Sequence, residues 1–198
     1  MSDVEIGRSK RARVAYSFDD VSLVPSRRTR DDELVNLDWK IDAYSFNHPI
    51  VAAPMDSVVS PATAATFAAN GGLAILNLEG VWTRYEDPTG VLNDIAALDT
   101  KGATAKLQEI YAKPIQPELI AARIKEMRTS GITVAGSLSP QRTAQFAKQV
   151  VEAGVDTFRI NCSYLESHEV LELIQHIRAA TPNVGILVDV QGPKLRTG

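Results

Sequence analysis

The sequence has 198 residues with 21 basic and 24 acidic side chains, a net charge of −3, and 44 % hydrophobic content. That is the balance of a globular chain long enough to bury one good core. The mild acidity gives no electrostatic reason to expect nucleic-acid or membrane binding. No apolar stretch approaches the roughly 20 residues a bilayer span needs, and the N-terminus lacks the apolar centre of a secretory signal. Cys162 is the single cysteine, so an internal disulfide is excluded and a reducing, cytoplasmic setting is expected. Two basic clusters, Arg8 to Arg13 and Arg27, Arg28 and Arg30, read as solvated surface.

Taken in order, residues 1–15 read as a polar tail. Tyr16 to Pro25 (YSFDDVSLVP) reads as a short strand or a plug under a barrel floor. Arg27 to Asp38 is charged and reads as loop or partly paired chain. Trp39 to Phe46 alternates weakly and is expected to pair with the segment before it. His48 to Leu76 then has the form strand, turn, helix, turn, strand. Ile50 to Ala53 is an apolar run of the length a buried parallel strand needs. Ser60 can cap a helix, Pro61 suits its first position, and Asn70-Gly71-Gly72 closes it. Leu73 to Leu76 is the next strand.

Beyond it, Val91 to Leu98 and Ala105 to Ala112 are expected as short helices, with Pro88, Gly90, Gly102, Pro114 and Pro117 as punctuation. Pro117 to Thr129 is an amphipathic helix with Leu119, Ile120, Ile124 and Met127 on its apolar side. Ile132 to Ala135 is expected as a third strand and Ser139 to Ala153 as a helix. Thr157 to Ile160 follows as a fourth strand. Ser167 to Ala180 is a helix with Val170, Leu171, Leu173, Ile174 and Ile177 buried, and Val184 to Val188 a fifth strand. Strand–helix alternation implies right-handed crossovers and a parallel sheet. Neither G-x-G-x-x-G nor the Walker pattern is present. The pattern predicts an α/β fold, an incomplete (β/α)8 barrel of about five strands with two unpaired edges. One partial barrel domain is expected over 1–198.

In such folds the residues just past the strand carboxyl ends line the functional face. The first candidates are Pro54, Met55, Asp56 and Ser57, although on pattern alone a plain loop with a capping serine is the stronger reading. Asn77 to Gly80 is the second group. His48, His168 and His176 lie too far apart for a metal pair. Cys162 follows a strand end, where a buried inert thiol is the default. Asn161 and Asp189 end neighbouring strands, so the pair can meet and hold a cation or a ligand hydroxyl. Arg159 lies inside a strand and needs an anionic partner, either an internal carboxylate or a bound phosphate.

Four segments, YSFDDVSLVPSRRT (16–29), HPIVAAPMDSVVSP (48–61), NGGLAILNLEG (70–80) and GITVAGSLSPQRT (131–143), resemble the IMP dehydrogenase/GMP reductase superfamily. The likeness covers about residues 4–155 and is nearest to the branch lacking inserted CBS domains. It implies a (β/α)8 barrel, a purine nucleoside monophosphate substrate, NAD or NADP, a homo-oligomer, and cytoplasmic purine metabolism feeding GMP biosynthesis. The nucleotide pocket would fall on Met55, Asp56 and Ser57, and on Asn77. The cofactor would fall on Asn161 and Ser163. From about 157 to 198, FRINCSYLESHEVLELIQHIR and GILVDVQGPKLRTG resemble the early barrel of pyruvate kinase. That likeness implies phosphate contact at Arg159 and a potassium ion at Asn161, Ser163 and Asp189, while Tyr164 departs from the family's histidine. The domain pattern implied is a floor segment over 1–47, dehydrogenase-like units over 48–155 and kinase-like units over 156–198.

The first family attacks the purine with a cysteine on a loop after its sixth strand. Cys162 is too early for that role, so the resemblance implies an oxidoreductase barrel piece that is inactive by itself. The alternatives are a phosphoryl-transfer barrel piece and a non-catalytic half-barrel that binds an anion or completes itself with a missing half.

Overall fold

The structure, a computed structural model, describes residues 3–5, 11–13, 20–22, 24, 31–41, 43–162 and 165–189. The chain divides into two compact units, residues 1–36 with 191–198, and residues 37–190. In the first, β1 (Asp3–Glu5) pairs antiparallel with β2 (Arg11–Arg13), with Val4 opposite Ala12. A 3-10 turn covers Asp32–Leu34. The segment expected as a polar tail therefore carries a two-stranded ladder. The reading of Tyr16 to Pro25 lies largely outside the described residues, as do Arg27, Arg28 and Arg30.

In the second unit, β3 (Trp39–Ile41) pairs antiparallel with β4 (Tyr44–Phe46) rather than with the preceding segment. Trp39, Ile41, Tyr44 and Phe46 alternate onto one face of this hairpin. The Trp39 and Phe46 rings lie 5.0 Å apart, an energetically useful cross-strand pair.

Five parallel strands follow in sequence order: β5 (Val51–Ala52), β6 (Leu73–Asn77), β7 (Ala135–Leu138), β8 (Thr157–Asn161) and β9 (Gly185–Asp189). Consecutive order with helical crossovers is the topology of a barrel in the making, here a five-stranded half-barrel with β5 and β9 at its edges. No helix among the described residues is long and apolar enough to cross a membrane.

The α-helices among the described residues are α1 (Pro61–Ala69), α2 (Pro88–Ala96), α3 (Thr100–Ala112), α4 (Pro117–Thr129), α5 (Pro140–Glu152) and α6 (Ser167–Ala180). Ser60 starts α1 through a reciprocal capping box with Thr63. Its end turns at Gly71, whose φ of +82° and 2.7 Å approach to Asn47 Cβ leave no room for a side chain. α2 and α3 begin a few residues earlier than expected. Asp87 and Asp99 accept from the amides of Gly90 and Gly102 at 3.0 and 2.7 Å. Glycines that read as punctuation are thus first-turn donors to aspartate caps.

The two faces of the sheet differ. Leu76, Leu138, Phe158 and Ile160 are buried in one cluster with Ile120, Ile124 and Met127 of α4, Phe146 and Val150 of α5 and Ile177 of α6. Truncating one of these to alanine should cost about 2–5 kcal/mol. Leu171 is the exception to the expected α6 stripe, 59 % exposed. It lies about 100° around the helix from Val170 and off the stripe centred on Leu173, Ile174 and Ile177. On the inner face, Leu73, Ile75 and Ala135 are buried beneath the β3–β4 hairpin and pack with Leu187. The lower inner layer is therefore closed and mostly apolar, with buried Thr157 beside Ala135. Further along the same strands it turns polar.

Candidate functional site

Parallel register sets the polar layer. Asn77 stands opposite Ser137, Ser137 opposite Arg159, and Asn161 opposite Asp189. Because all five strands run the same way, these residues gather at the carboxyl-terminal mouth. A cleft of about 280 Å³ opens there, lined by Pro54, Asn77, Tyr111, Ser137, Arg159 and Asn161 among others.

Arg159 is the charged centre of the layer. Nη1 donates to Ser137 Oγ at 2.9 Å, and Nη2 donates to Asp189 Oδ2 in a close ion pair. Its strand position called for an anion, and the internal carboxylate of Asp189 supplies one. The Arg159 side chain is 14 % exposed and that of Asp189 44 %. Cys162 follows β8 and is buried. Burial pushes its thiol up from the ordinary value, Asp189 adds to the shift, and Arg159 opposes it. The net shift runs opposite to the one that activates a thiol nucleophile.

Asp56 is used by the protein itself. Its Oδ1 accepts from Asn77 Nδ2 at 3.3 Å, and its Oδ2 accepts from the Val81 amide at 2.9 Å and from the Tyr111 hydroxyl. Trp82 Nε1 donates to its carbonyl at 3.1 Å. Asn77 is tied on its other side, where Oδ1 accepts from the Glu79 amide at 3.0 Å. Glu79 Oε1 accepts from the Ser139 amide, which places a carboxylate at the start of α5. Buried Arg84 donates to the carbonyls of Glu79, Tyr111 and Lys113. Together these contacts fasten the α2–α3 excursion to the mouth. Burial, the hydrogen bond to Asp56 and its charge hold the Tyr111 phenol well above the usual range, against a smaller opposing effect of Arg84.

Asn77, Arg159 and Asn161 therefore line the cleft together, with Asp189 paired to Arg159. Asp56 stands behind Asn77. Ser57 lines a neighbouring groove of about 540 Å³ with Trp82 and Leu92. Met55 is 54 % exposed. Met55 to Ser57 come after the end of β5, Asn161 is the last residue of β8 and Cys162 follows it. Ser163, Tyr164 and the QGPKLRTG segment lie outside the described residues. Among the described residues no group of three His, Cys, Asp or Glu side chains could hold a metal ion. As a potassium ligand Asp189 would have to exchange a guanidinium for the ion. Sequence reasoning missed Ser137 and Tyr111. The first had a signal, a polar residue within the small-residue run AGSL; Tyr111, on α3, had none.

A polar mouth above an apolar floor on consecutive parallel strands is the organisation of a ligand-binding (β/α) barrel. The IMP dehydrogenase/GMP reductase domain model matches residues 15–191, and the chain belongs to that family. It is 38 % identical over 172 residues to an uncharacterized oxidoreductase of Mycobacterium tuberculosis, covering 84 % of this chain and 46 % of that protein. The crystal structure of an IMP dehydrogenase/GMP reductase-like protein from Corynebacterium glutamicum superposes with a TM-score of 0.82 at 35 % identity, covering 94 % of this chain and 51 % of that one. The chain spans about half the length of the curated relatives it matches. A pyruvate kinase of Methylorubrum extorquens is 40 % identical over 78 residues, 37 % of this chain and 16 % of that protein. The family match runs on through residues 150–160.

Proposed function

We propose that this half-barrel supplies the mononucleotide-binding mouth of an oxidoreductase acting on a purine nucleoside monophosphate in cytoplasmic purine metabolism. The observation that carries the reading is the polar layer of Asn77, Ser137, Arg159 and Asn161 in one cleft. Arg159 is neutralised by Asp189, so the layer offers amide and hydroxyl groups held by a fixed ion pair. Such a layer suits the edge of a base or a ribose better than a free dianion. Cys162 is buried and its thiol is pushed up by that burial, so this reading gives it no part in attacking a purine. These residues are therefore assigned binding and orientation, and no covalent step.

In this reading a nicotinamide dinucleotide lies alongside, in a groove that also carries Glu169, Glu172 and His176. Asn161 and Ser139 line both the cleft and that groove, of about 700 Å³ and bounded by α5 and α6 residues, so one ligand can follow both. NAD or NADP supplies the hydride acceptor or donor when bound; Asn161, with Ser163 by resemblance, is the group that would hold it. The edge strands β5 and β9 are where the rest of a closed barrel would attach.

A thermal-shift titration tests the reading. IMP at 100 times its dissociation constant should stabilise the chain by about 2.7 kcal/mol, and phosphoenolpyruvate with potassium should do nothing. Stabilisation by phosphoenolpyruvate and potassium, with none by IMP, would replace this reading with the kinase-like one.

A further inference from the structure

Tyr111 reaches the mouth from α3, 55 residues beyond the aspartate it contacts. Three contacts fix it. Its hydroxyl donates to Asp56 Oδ2, its carbonyl accepts from Arg84 Nη1 at 3.0 Å, and the Arg84 guanidinium lies over its ring, 5.3 Å from the centroid. Yet the residue remains 40 % exposed and lines the cleft beside Asn77, Ser137 and Arg159. A ring clamped at its hydroxyl, its backbone and one face is already ordered before a ligand arrives, so contact with it costs little side-chain entropy.

We propose that the uncovered face of Tyr111 is the stacking platform for the heteroaromatic base of the bound nucleotide, making it a specificity-determining residue of the mouth. The base is gripped on its face by Tyr111 and read on its edge by the amides and hydroxyl of the polar layer. Asn77 keeps one N–H for that task after bonding Asp56. The inference rests on the mononucleotide reading above. Its physical content is separate: affinity should depend on the base and on the ring.

The test compares IMP with ribose 5-phosphate, which lacks a base, on the wild-type chain, Tyr111→Phe and Tyr111→Leu. Calorimetry gives the affinities, and proton NMR follows the purine H2 and H8 resonances. Tyr111→Leu should weaken IMP roughly 5- to 150-fold, the range base–aromatic stacking supports, and leave ribose 5-phosphate unchanged. Tyr111→Phe, which keeps the ring, should lose less than Tyr111→Leu. H2 and H8 should move upfield on binding to the wild type and to Tyr111→Phe. Equal IMP affinity in Tyr111→Leu and wild type overturns the stacking role while leaving the nucleotide reading standing. Equal losses in the Phe and Leu variants also overturn it, assigning the effect to the Asp56 hydrogen bond. A wild-type chain that binds neither probe overturns both. If Tyr111→Leu does not fold, the upfield shifts decide: their absence in wild type and Tyr111→Phe sinks the proposal.

Discussion

Replacing Gly80 by alanine should strike the mouth through a single atom. A Cβ built there overlaps all three terminal atoms of the Asp56 carboxylate. The Gly80 backbone, at φ −89° and ψ −161°, is open to any residue, so the cost is collision and not backbone strain. To escape, Asp56 must release Asn77, the Val81 amide and the Tyr111 hydroxyl. At about 1 kcal/mol net for each bond, Gly80→Ala should destabilise the chain by about 3 kcal/mol. The midpoint should fall by roughly 6–12 °C, given about 2–4 °C per kcal/mol at this size. Asp56→Ala removes the same bonds and the colliding atoms together, so it should cost a similar amount. Adding Gly80→Ala to it should then cost almost nothing, or gain a few tenths of a kcal/mol from a stiffer unfolded chain. Urea unfolding of the four proteins gives the coupling energy, expected at about 3 kcal/mol. Simple addition of the two single-variant costs would refute the claim that Gly80 is small to make room for Asp56.

Removing either partner of the Arg159–Asp189 pair should be unequal in effect. Asp189→Ala strands a guanidinium 14 % exposed and should cost about 2 kcal/mol. Arg159→Met leaves a carboxylate 44 % exposed that water can reach, and should cost about 1 kcal/mol; the reverse order in urea melts would contradict the pairing described. Cys162 should react with iodoacetamide more slowly than a free thiol at neutral pH, with a rate still climbing above the ordinary thiol pKa of about 8.5. A rate that levels off below that pH would show an activated thiolate. Tyr111 keeps its proton more tightly folded than unfolded. Its share of stability should be complete below about pH 10 and decline as pH rises beyond it. The stability gap between wild type and Tyr111→Phe should therefore narrow in alkali, and a constant gap would speak against the Asp56 contact.

Local chemistry made much of the fold legible. Pro117 and Pro140 sit at first helical positions, and α4 and α6 begin and end where their periodicity places them. β7 did not follow its apolar run. Ile132 to Ala135 has the stronger strand composition, yet the ladder begins at Ala135. The Val134 amide is taken by the Asp156 carboxylate at 2.9 Å, and its carbonyl accepts from the Asp156 and Thr157 amides. The Asp156 side chain thus takes the amide that would have extended the strand, while the Val134 carbonyl already bonds the backbone leading into β8. The need of Arg159 for an anion was legible because a charge inside a strand is costly alone. Which anion it takes depends on the β8–β9 register, a tertiary fact. Asp56 was legible by position only. Val81, Trp82 and Tyr111 claim it from 25 to 55 residues away, and no local pattern encodes that.

The most direct test of the binding mouth is an amide-resolved NMR titration of the labelled chain with IMP. The account predicts saturable shifts at Asn77, Ser137, Arg159 and Asn161, the backbone of the polar layer. Saturable binding whose shifts spare these four amides and cluster elsewhere would contradict it.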